Sequence, residues 1–199
     1  MFTGIIEEVG TVLGAAPGEI TIGAHAVMSD LGLGQSIAID GVDLTVAALD
    51  ENTFSANVMA ETYRRSSLGA LEIGRLVNLE RAVLPTTRLS GHIVRGVVEG
   101  TATVQDISSE PDALVYRFST SSELLDRIVV KGPVAVDGAS FTVIARDDTS
   151  FSVSIVAYSQ AHTTITDRRV GDLVNLETDI LARYVEAVLV RLVGGGGER

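Results

Sequence analysis

The sequence predicts an all-β protein made of two homologous copies of one small antiparallel domain, followed by a single helix. Three observations carry this. A set of blocks recurs at a fixed offset. The apolar segments are short, rich in Val, Ile, Thr and Phe, and separated by turn residues. Three-and-four apolar periodicity is sustained only near the C-terminal end.

The repeat is explicit. Gly74-Arg-Leu-Val-Asn-Leu-Glu80 returns as Gly171-Asp-Leu-Val-Asn-Leu-Glu177, identical at six of seven positions at an offset of 97. The same offset carries Asp40-Gly-Val-Asp-Leu-Thr-Val46 onto Asp137-Gly-Ala-Ser-Phe-Thr-Val143, and Thr53-Phe54-Ser55 onto Ser150-Phe151-Ser152. Upstream, Gly4-Ile5-Ile6-Glu7 matches Gly96-Val97-Val98-Glu99 at an offset of 92, so the second copy holds about five extra residues between these blocks. The halves are 1–90 and 91–179.

Within each half, segments such as Gln35–Asp40, Leu44–Leu49 and Phe54–Val58 have strand composition. Asp40-Gly41, Asp50-Glu51-Asn52, Asp137-Gly138 and Asp147-Asp148 supply hairpins or tight loops. Short strands so punctuated predict an antiparallel sandwich or a small closed barrel, not a βαβ fold. Thr120-Ser-Ser-Glu123 reads as a capping box opening a turn or two of helix, and 60–68 as a weaker helical segment. Ile180, Leu181, Tyr184, Val185, Val188, Leu189 and Leu192 predict an amphipathic helix over 180–193. Its stripe either packs on its own barrel or meets the same helix in other subunits. Residues 194–199, with their four glycines, are expected to be disordered.

Composition excludes several function classes. With 15 basic against 26 acidic side chains the net charge is −11, and no Lys/Arg cluster offers a surface for nucleic acid or anionic membrane. The absence of cysteine removes disulfides, thiolate nucleophiles and cysteine metal sites. His25, His92 and His162 show no metal-ligand spacing, so no metal is expected. No signal-peptide pattern follows Met1 and no apolar run approaches membrane-spanning length, so a cytoplasmic protein is expected. Two related halves also suggest two related pockets, and pockets that face each other hold two ligands for reaction.

The order and spacing of five blocks resemble the riboflavin synthase family. They are Met1-Phe-Thr-Gly-Ile-Ile-Glu-Glu-Val-Gly10, Asp40–Val46, Ala60-Glu-Thr-Tyr-Arg-Arg65, Ser90-Gly-His-Ile-Val94 and 174–186. The resemblance covers residues 1 to about 190. It implies a pair of six-stranded Greek-key barrels, a C-terminal helix joining three chains, and a substrate site between the N-terminal barrel of one subunit and the C-terminal barrel of another. It further implies an enzyme that takes two molecules of 6,7-dimethyl-8-ribityllumazine and transfers a four-carbon unit between them. The products are riboflavin and a ribitylamino-pyrimidinedione, with no added cofactor; a lumazine or flavin is the expected bound molecule.

Site residues follow from the same resemblance. Phe2 stands where the family places an aromatic beside the bound ring, and equally suits a packed strand. Ser36 matches a site hydroxyl. Lys131, the only lysine, matches a substrate-contacting lysine. Ser140 and Thr142 match hydroxyl positions of the second barrel, with Thr45 the first-barrel counterpart of Thr142; such hydroxyls suit pteridine edges or a ribityl chain, and Thr is also an ordinary strand residue. Asp179 matches a site carboxylate and also suits an N-cap. Glu61 and Thr62 match the ribityl-binding segment. Gly4, Ile6, His92, Ser159, Gln160 and Thr164 complete the expected substrate contacts.

Three positions depart from the family pattern. Asp43 replaces a cysteine of the first barrel, Val97 replaces a second histidine, and Ala157-Tyr158-Ser159 replaces a Pro-His/Glu-Thr run. The family reaction removes a proton from the 7-methyl group of one lumazine and attacks C7 of the other. A carboxylate at 43 either repels the resulting anion by a few kcal/mol at ~4 Å and an effective dielectric of ~20, or itself serves as the base. Val97 transfers no proton. Two functions stay open: a riboflavin synthase-type enzyme with an altered site, or a paralogue that binds lumazine or flavin without this turnover.

Overall fold

The structure is a computed structural model, described over residues 1–194. The first half forms a closed barrel of six strands: β1 (Glu8–Ala16), β2 (Glu19–Gly23), β3 (Ser36–Ile39), β4 (Val42–Leu49), β5 (Thr53–Asn57) and β6 (Leu76–Arg81). They run in the order β1-β2-β5-β4-β3-β6, every pairing antiparallel, with β6 closing on β1. The second half repeats this order with β7 (Gly100–Glu110), β8 (Ala113–Ser119), β9 (Pro133–Val136), β10 (Ala139–Arg146), β11 (Ser150–Val156) and β12 (Leu173–Thr178). Of the two architectures the turn pattern allows, the closed barrel is the one formed, and it leaves no free sheet edge in either half.

Alternation sorts each strand. In β4, Val42, Leu44 and Val46 enter the first core while Asp43 and Thr45 face outward. In β10, Phe141 and Val143 enter the second core while Ser140 and Thr142 lie on the outer face. Bulges after Val12 and Val46 recur after Val104 and Val143, so the bends that help close the barrel are duplicated with the sequence. The second core also stacks Tyr116 on Phe118 and Phe118 on Phe151, at 6.0 and 5.4 Å between ring centroids. The extra residues of the second copy lie mainly in its first hairpin, where β7 and β8 have 11 and 7 residues against 9 and 5 in β1 and β2.

Short helices occupy matching places: α1 (Ala60–Arg65) after β5 and α3 (Ala157–His162) after β11, each followed by a 3-10 turn. The expected capping box is displaced by one residue. Ser121, not Thr120, caps α2 (Ser122–Leu125) by accepting from Leu124 N, and the Thr120 hydroxyl instead donates to Thr101 O.

The barrels meet along a seam with near two-fold symmetry. Asp40 and Asp137, with φ of 44° and 45°, precede Gly41 and Gly138 in two tight hairpins that abut. A Cβ on Gly41 would lie 2.6 Å from Gly138 N, and one on Gly138 would lie 2.7 Å from Gly41 N, so only glycine allows the approach. Asn78 Nδ2 donates to Asp137 O (2.9 Å) and Asn175 Nδ2 to Asp40 O (2.8 Å). Their side-chain oxygens accept from Thr164 N and Ser67 N. One guanidinium breaks the symmetry. Arg168 donates through Nε to Asp137 (2.8 Å) and through Nη2 to Asp40 (3.1 Å), all three side chains being buried.

The last helix, α4 (Ile180–Gly194), extends one residue beyond the expected limit; the disorder expected for the rest of the tail falls outside the described residues. Ile180 is buried, but Leu181, Tyr184, Val185, Val188, Leu189 and Leu192 are all more than half exposed, so the apolar stripe does not pack on its own barrel. Among the described residues, no helix is long and apolar enough to cross a membrane.

Candidate active site

Each half sends its lead-in segment to the other barrel. Phe2 and Val94 pair antiparallel between the halves, Phe2 N donating to Val94 O (2.7 Å) and Val94 N to Phe2 O (3.1 Å). Beyond them, Gly4 and Gly96 turn through left-handed conformations, with φ of 76° and 77°. Gly4 O then accepts from Ser140 N (2.8 Å) and Gly96 O from Asp43 N (2.9 Å). Ile6 packs against the second core and Val98 against the first. Two buried carboxylates clamp these crossings. Glu80 accepts from Thr3 N, Thr3 Oγ1 and Gly4 N. Glu177 accepts from Arg95 N and Val97 N. Burial raises both carboxyls, Glu177 to about 7, against the opposing pull of those N–H donors.

The exchange builds a cleft of about 560 Å³ on the first barrel. One wall is the outer face of β4 with Asp43; a second is Met59 and, from the α1 that follows it, Glu61, Thr62 and Arg65; the third is the crossing segment 96–99 from the other half. Val97 stands on that wall, 42% exposed. Glu61 is held by Arg64 and Arg65, whose hydrogen bonds and charge keep its carboxyl below the usual range. The remaining rim comprises Glu99, Glu123, Arg127 and Arg183. Glu99 Oε2 accepts from Thr178 N and Oγ1, while its Oε1 faces Arg183 Nε at 3.1 Å and Arg127 Nη1 at 3.5 Å.

The corresponding place on the second barrel gathers Gly4, Ser140, His92 and Asp179. His92 N donates to Thr3 O (3.1 Å), and its Nδ1 lies 2.7 Å from Ser140 Oγ. The ring is largely buried and its Nε2 has no partner. Burial lowers the imidazole pKa, partly offset by the charge of Asp179, so the ring is neutral at pH 7. Asp179 accepts from Leu181 N (3.0 Å), a cap-like contact at the start of α4. Gly91 fits against Ser140 only because it lacks a Cβ, which would fall 2.0 Å from Thr3 O.

The other expected residues divide. Phe2 is 1% exposed, packed with Ala38, Val94 and Ala135 between the barrels, its ring edge behind Gly96. Ser36 and Thr45 are register partners on the outside of the first barrel, and Thr142 is exposed on the second. Lys131 is exposed at φ 69°, in a left-handed turn where the first repeat has Gly34 at φ 78°. Ser159 and Gln160 lie on α3; Gln160 Nε2 is engaged by Ile155 O (2.7 Å). Thr164 does not reach a cleft, being fully buried in the seam beneath Asn78.

Glu99, Arg127 and Arg183 were absent from the sequence expectation. Arg127 and Arg183 are scattered arginines in the sequence, and only the meeting of α2, α4 and the crossing segment brings them together. Among the described residues, no group of three or more His, Asp and Glu side chains is arranged to hold a metal.

Duplicated barrels that exchange their lead-in segments define a class of protein, and the family model described as the lumazine binding domain matches this chain twice, over 3–82 and 95–179. The riboflavin synthase of Actinobacillus pleuropneumoniae is 43% identical over 195 residues, covering 96% of this chain and 91% of that protein. That of Bacillus amyloliquefaciens is 40% identical over 189 residues, covering 93% and 88%. The chain belongs to the riboflavin synthase family. In fold it is similar to the crystal structure of LumP complexed with riboflavin, with a TM-score of 0.84 at 21% identity, covering 89% of this chain and 99% of that one.

Proposed function

We propose that the chain is a riboflavin synthase that takes two molecules of 6,7-dimethyl-8-ribityllumazine, moves a four-carbon unit from one to the other and releases riboflavin and the pyrimidinedione. The observation that supports this most directly is the pair of equivalent positions, one on each barrel and each walled by the other half, where Gly96 meets Asp43 and Gly4 meets Ser140. Two like sites suit a reaction between two copies of one compound, because holding both partners removes the entropic cost of a bimolecular encounter. The family relatives, named riboflavin synthases, support the same reading.

In this reading His92 is the proton acceptor. A neutral ring bonded through Nδ1 to the Ser140 hydroxyl is suited to take that hydroxyl's proton as the oxygen accepts one from the 7-methyl carbon, leaving the carbanion to attack C7 of the second lumazine. Glu61 and Thr62 serve the ribityl chain. The exposed stripe of α4 joins three copies, so that the first-barrel cleft of one subunit faces the second-barrel site of its neighbour. No metal or added cofactor enters the reaction.

The experiment is to mix purified protein with the lumazine and follow riboflavin absorbance together with the pyrimidinedione. Formation of both in equal amounts supports the enzyme. The charge of Asp43 and the inert Val97 in the cleft favour the second reading, a lumazine or flavin carrier; saturable binding with shifted ligand fluorescence and no product decides for it.

A further inference from the structure

We propose that filling the first-barrel cleft and assembling α4 with further copies of this chain are thermodynamically linked, through two ion pairs that tie the helix to the cleft rim. The pairs are Arg183 Nε to Glu99 Oε1 (3.1 Å) and Glu186 to Arg127 Nε (2.7 Å). The linkage rests on the reading of that cleft as a lumazine or flavin site.

The geometry of the helix separates two faces. At 3.6 residues per turn, Leu181, Val185, Val188 and Leu192 fall within about 60° of one another, while Arg183 and Glu186 lie on the opposite side. The four apolar residues follow a 4-3-4 spacing, the repeat by which a helix packs against copies of itself. All four are more than half exposed, so they are free to do so. The opposite face holds the helix to the body. Ile180 is its one buried apolar anchor among residues 180–192, and Arg183 and Glu186 supply the charged contacts.

Those contacts end inside the cleft. Arg183 is part of its lining, and so are Glu99 and Arg127. Glu99 is fixed from behind by Thr178 N and Oγ1, so it is a firm post for Arg183. Arg127 also pairs with Glu123 on the same rim. A ring or ribityl chain seated here covers both guanidiniums, excludes water from their ion pairs and so strengthens them. The inclination of α4 is then narrowed, and helices that associate side by side lose less freedom when that inclination is already set. Reciprocity requires that assembly raise affinity for the ligand by the same factor.

The test uses the full chain with riboflavin as the probe, in sedimentation equilibrium. Val188→Ala weakens the stripe and brings assembly into the measurable range; adding Val185→Ala does so if the single variant stays fully assembled. Saturating riboflavin is expected to raise the assembly constant of this background about tenfold. Glu186→Gln, which removes a link without touching the cleft lining, is expected to reduce that gain to about threefold or less while riboflavin affinity of the unassembled protein changes by less than about twofold. Riboflavin that binds without changing assembly overturns the linkage, and a gain that survives Glu186→Gln unchanged overturns its passage through the ion pairs. Absence of riboflavin binding under any condition overturns the reading of the cleft and this inference with it.

Discussion

His92 Nδ1 stands 2.7 Å from Ser140 Oγ, which joins the segment between the two halves to the outer face of β10. Ser140→Ala and His92→Gln are each expected to lower the rate of riboflavin formation about 10²- to 10⁴-fold. The wild-type rate is expected to fall as acid protonates His92, with an apparent pKa below the ordinary histidine value because burial disfavours the imidazolium. A pH–rate profile checks both, and a Ser140→Ala variant with an unshifted acid limb and near-normal rate would exclude the pair from proton transfer.

Asp43 projects from β4 into the first-barrel cleft and is exposed. Asp43→Asn keeps the shape and removes the charge, so an anion forming in the cleft meets less repulsion. Turnover is expected to rise by about tenfold, a part of the few kcal/mol that two charges ~4 Å apart exchange at an effective dielectric of ~20. The thermal midpoint is expected to stay within a degree or two. Loss of turnover instead assigns Asp43 the role of base.

Gly96→Ala places a Cβ 2.5 Å from Asp43 Cβ at a φ of 77°, and Gly4→Ala places one 2.6 Å from Ser140 Cβ at 76°. The left-handed conformation alone costs about 1–2 kcal/mol for alanine. With the clash, each variant is expected to lose about 2–4 kcal/mol in urea unfolding. Gly96→Ala is expected to weaken ligand binding at the first-barrel cleft and Gly4→Ala to weaken it beside Ser140 on the second barrel.

The seam makes stability depend on pH. Burial raises the carboxyl of Asp40 to about 7, with the neighbouring Asp137 charge adding to it, and burial raises Asp137 as well. Between pH 4 and 7 the folded chain binds more protons at these groups than the unfolded chain does. Their contribution is therefore greatest at the acid end and is lost as pH climbs through the folded value. Glu80 and Glu177 act in the same sense, and His92 in the opposite one. The melting temperature is expected to drop from pH 5 to pH 8, and Asp40→Asn to flatten that slope. Arg168→Met strands both carboxylates and is expected to cost about 3–5 kcal/mol at neutral pH.

Val185→Glu and Val188→Glu put charge on the stripe of α4 without touching either barrel. Both are expected to give monomers with unchanged circular dichroism of the barrels, measured by light scattering. A protein that is monomeric before substitution refutes the assembled site.

Much of the fold was legible because duplication and strand chemistry agree. The Asp-Gly pairs mark the two hairpins of the seam, and the 92-to-97 shift in offset marks the lengthened hairpin β7–β8. The Thr120 cap was misplaced because Ser121 is an equally good capping residue one step on, and tertiary position decides between them. At the candidate site, Ser140, His92, Asp43 and Val97 were legible through the family resemblance, as matches or as departures from its pattern. Thr164, expected as a substrate contact from the resemblance, lies in the seam with its N–H on Asn78. Arg127, Arg183 and Glu99 carry no local signal, since their arrangement depends on how α4 leaves β12.

Arg168 has Leu71 as its counterpart in the first repeat, at the same offset of 97. A tandem of two identical first halves would therefore set hydrocarbon on both sides of the facing turns and lack the guanidinium that bonds both acids. The two copies have become complementary rather than interchangeable: in effect the polypeptide is a heterodimer of its own ancestor, and a recombination that replaces the second copy by the first forfeits the bridge at its centre.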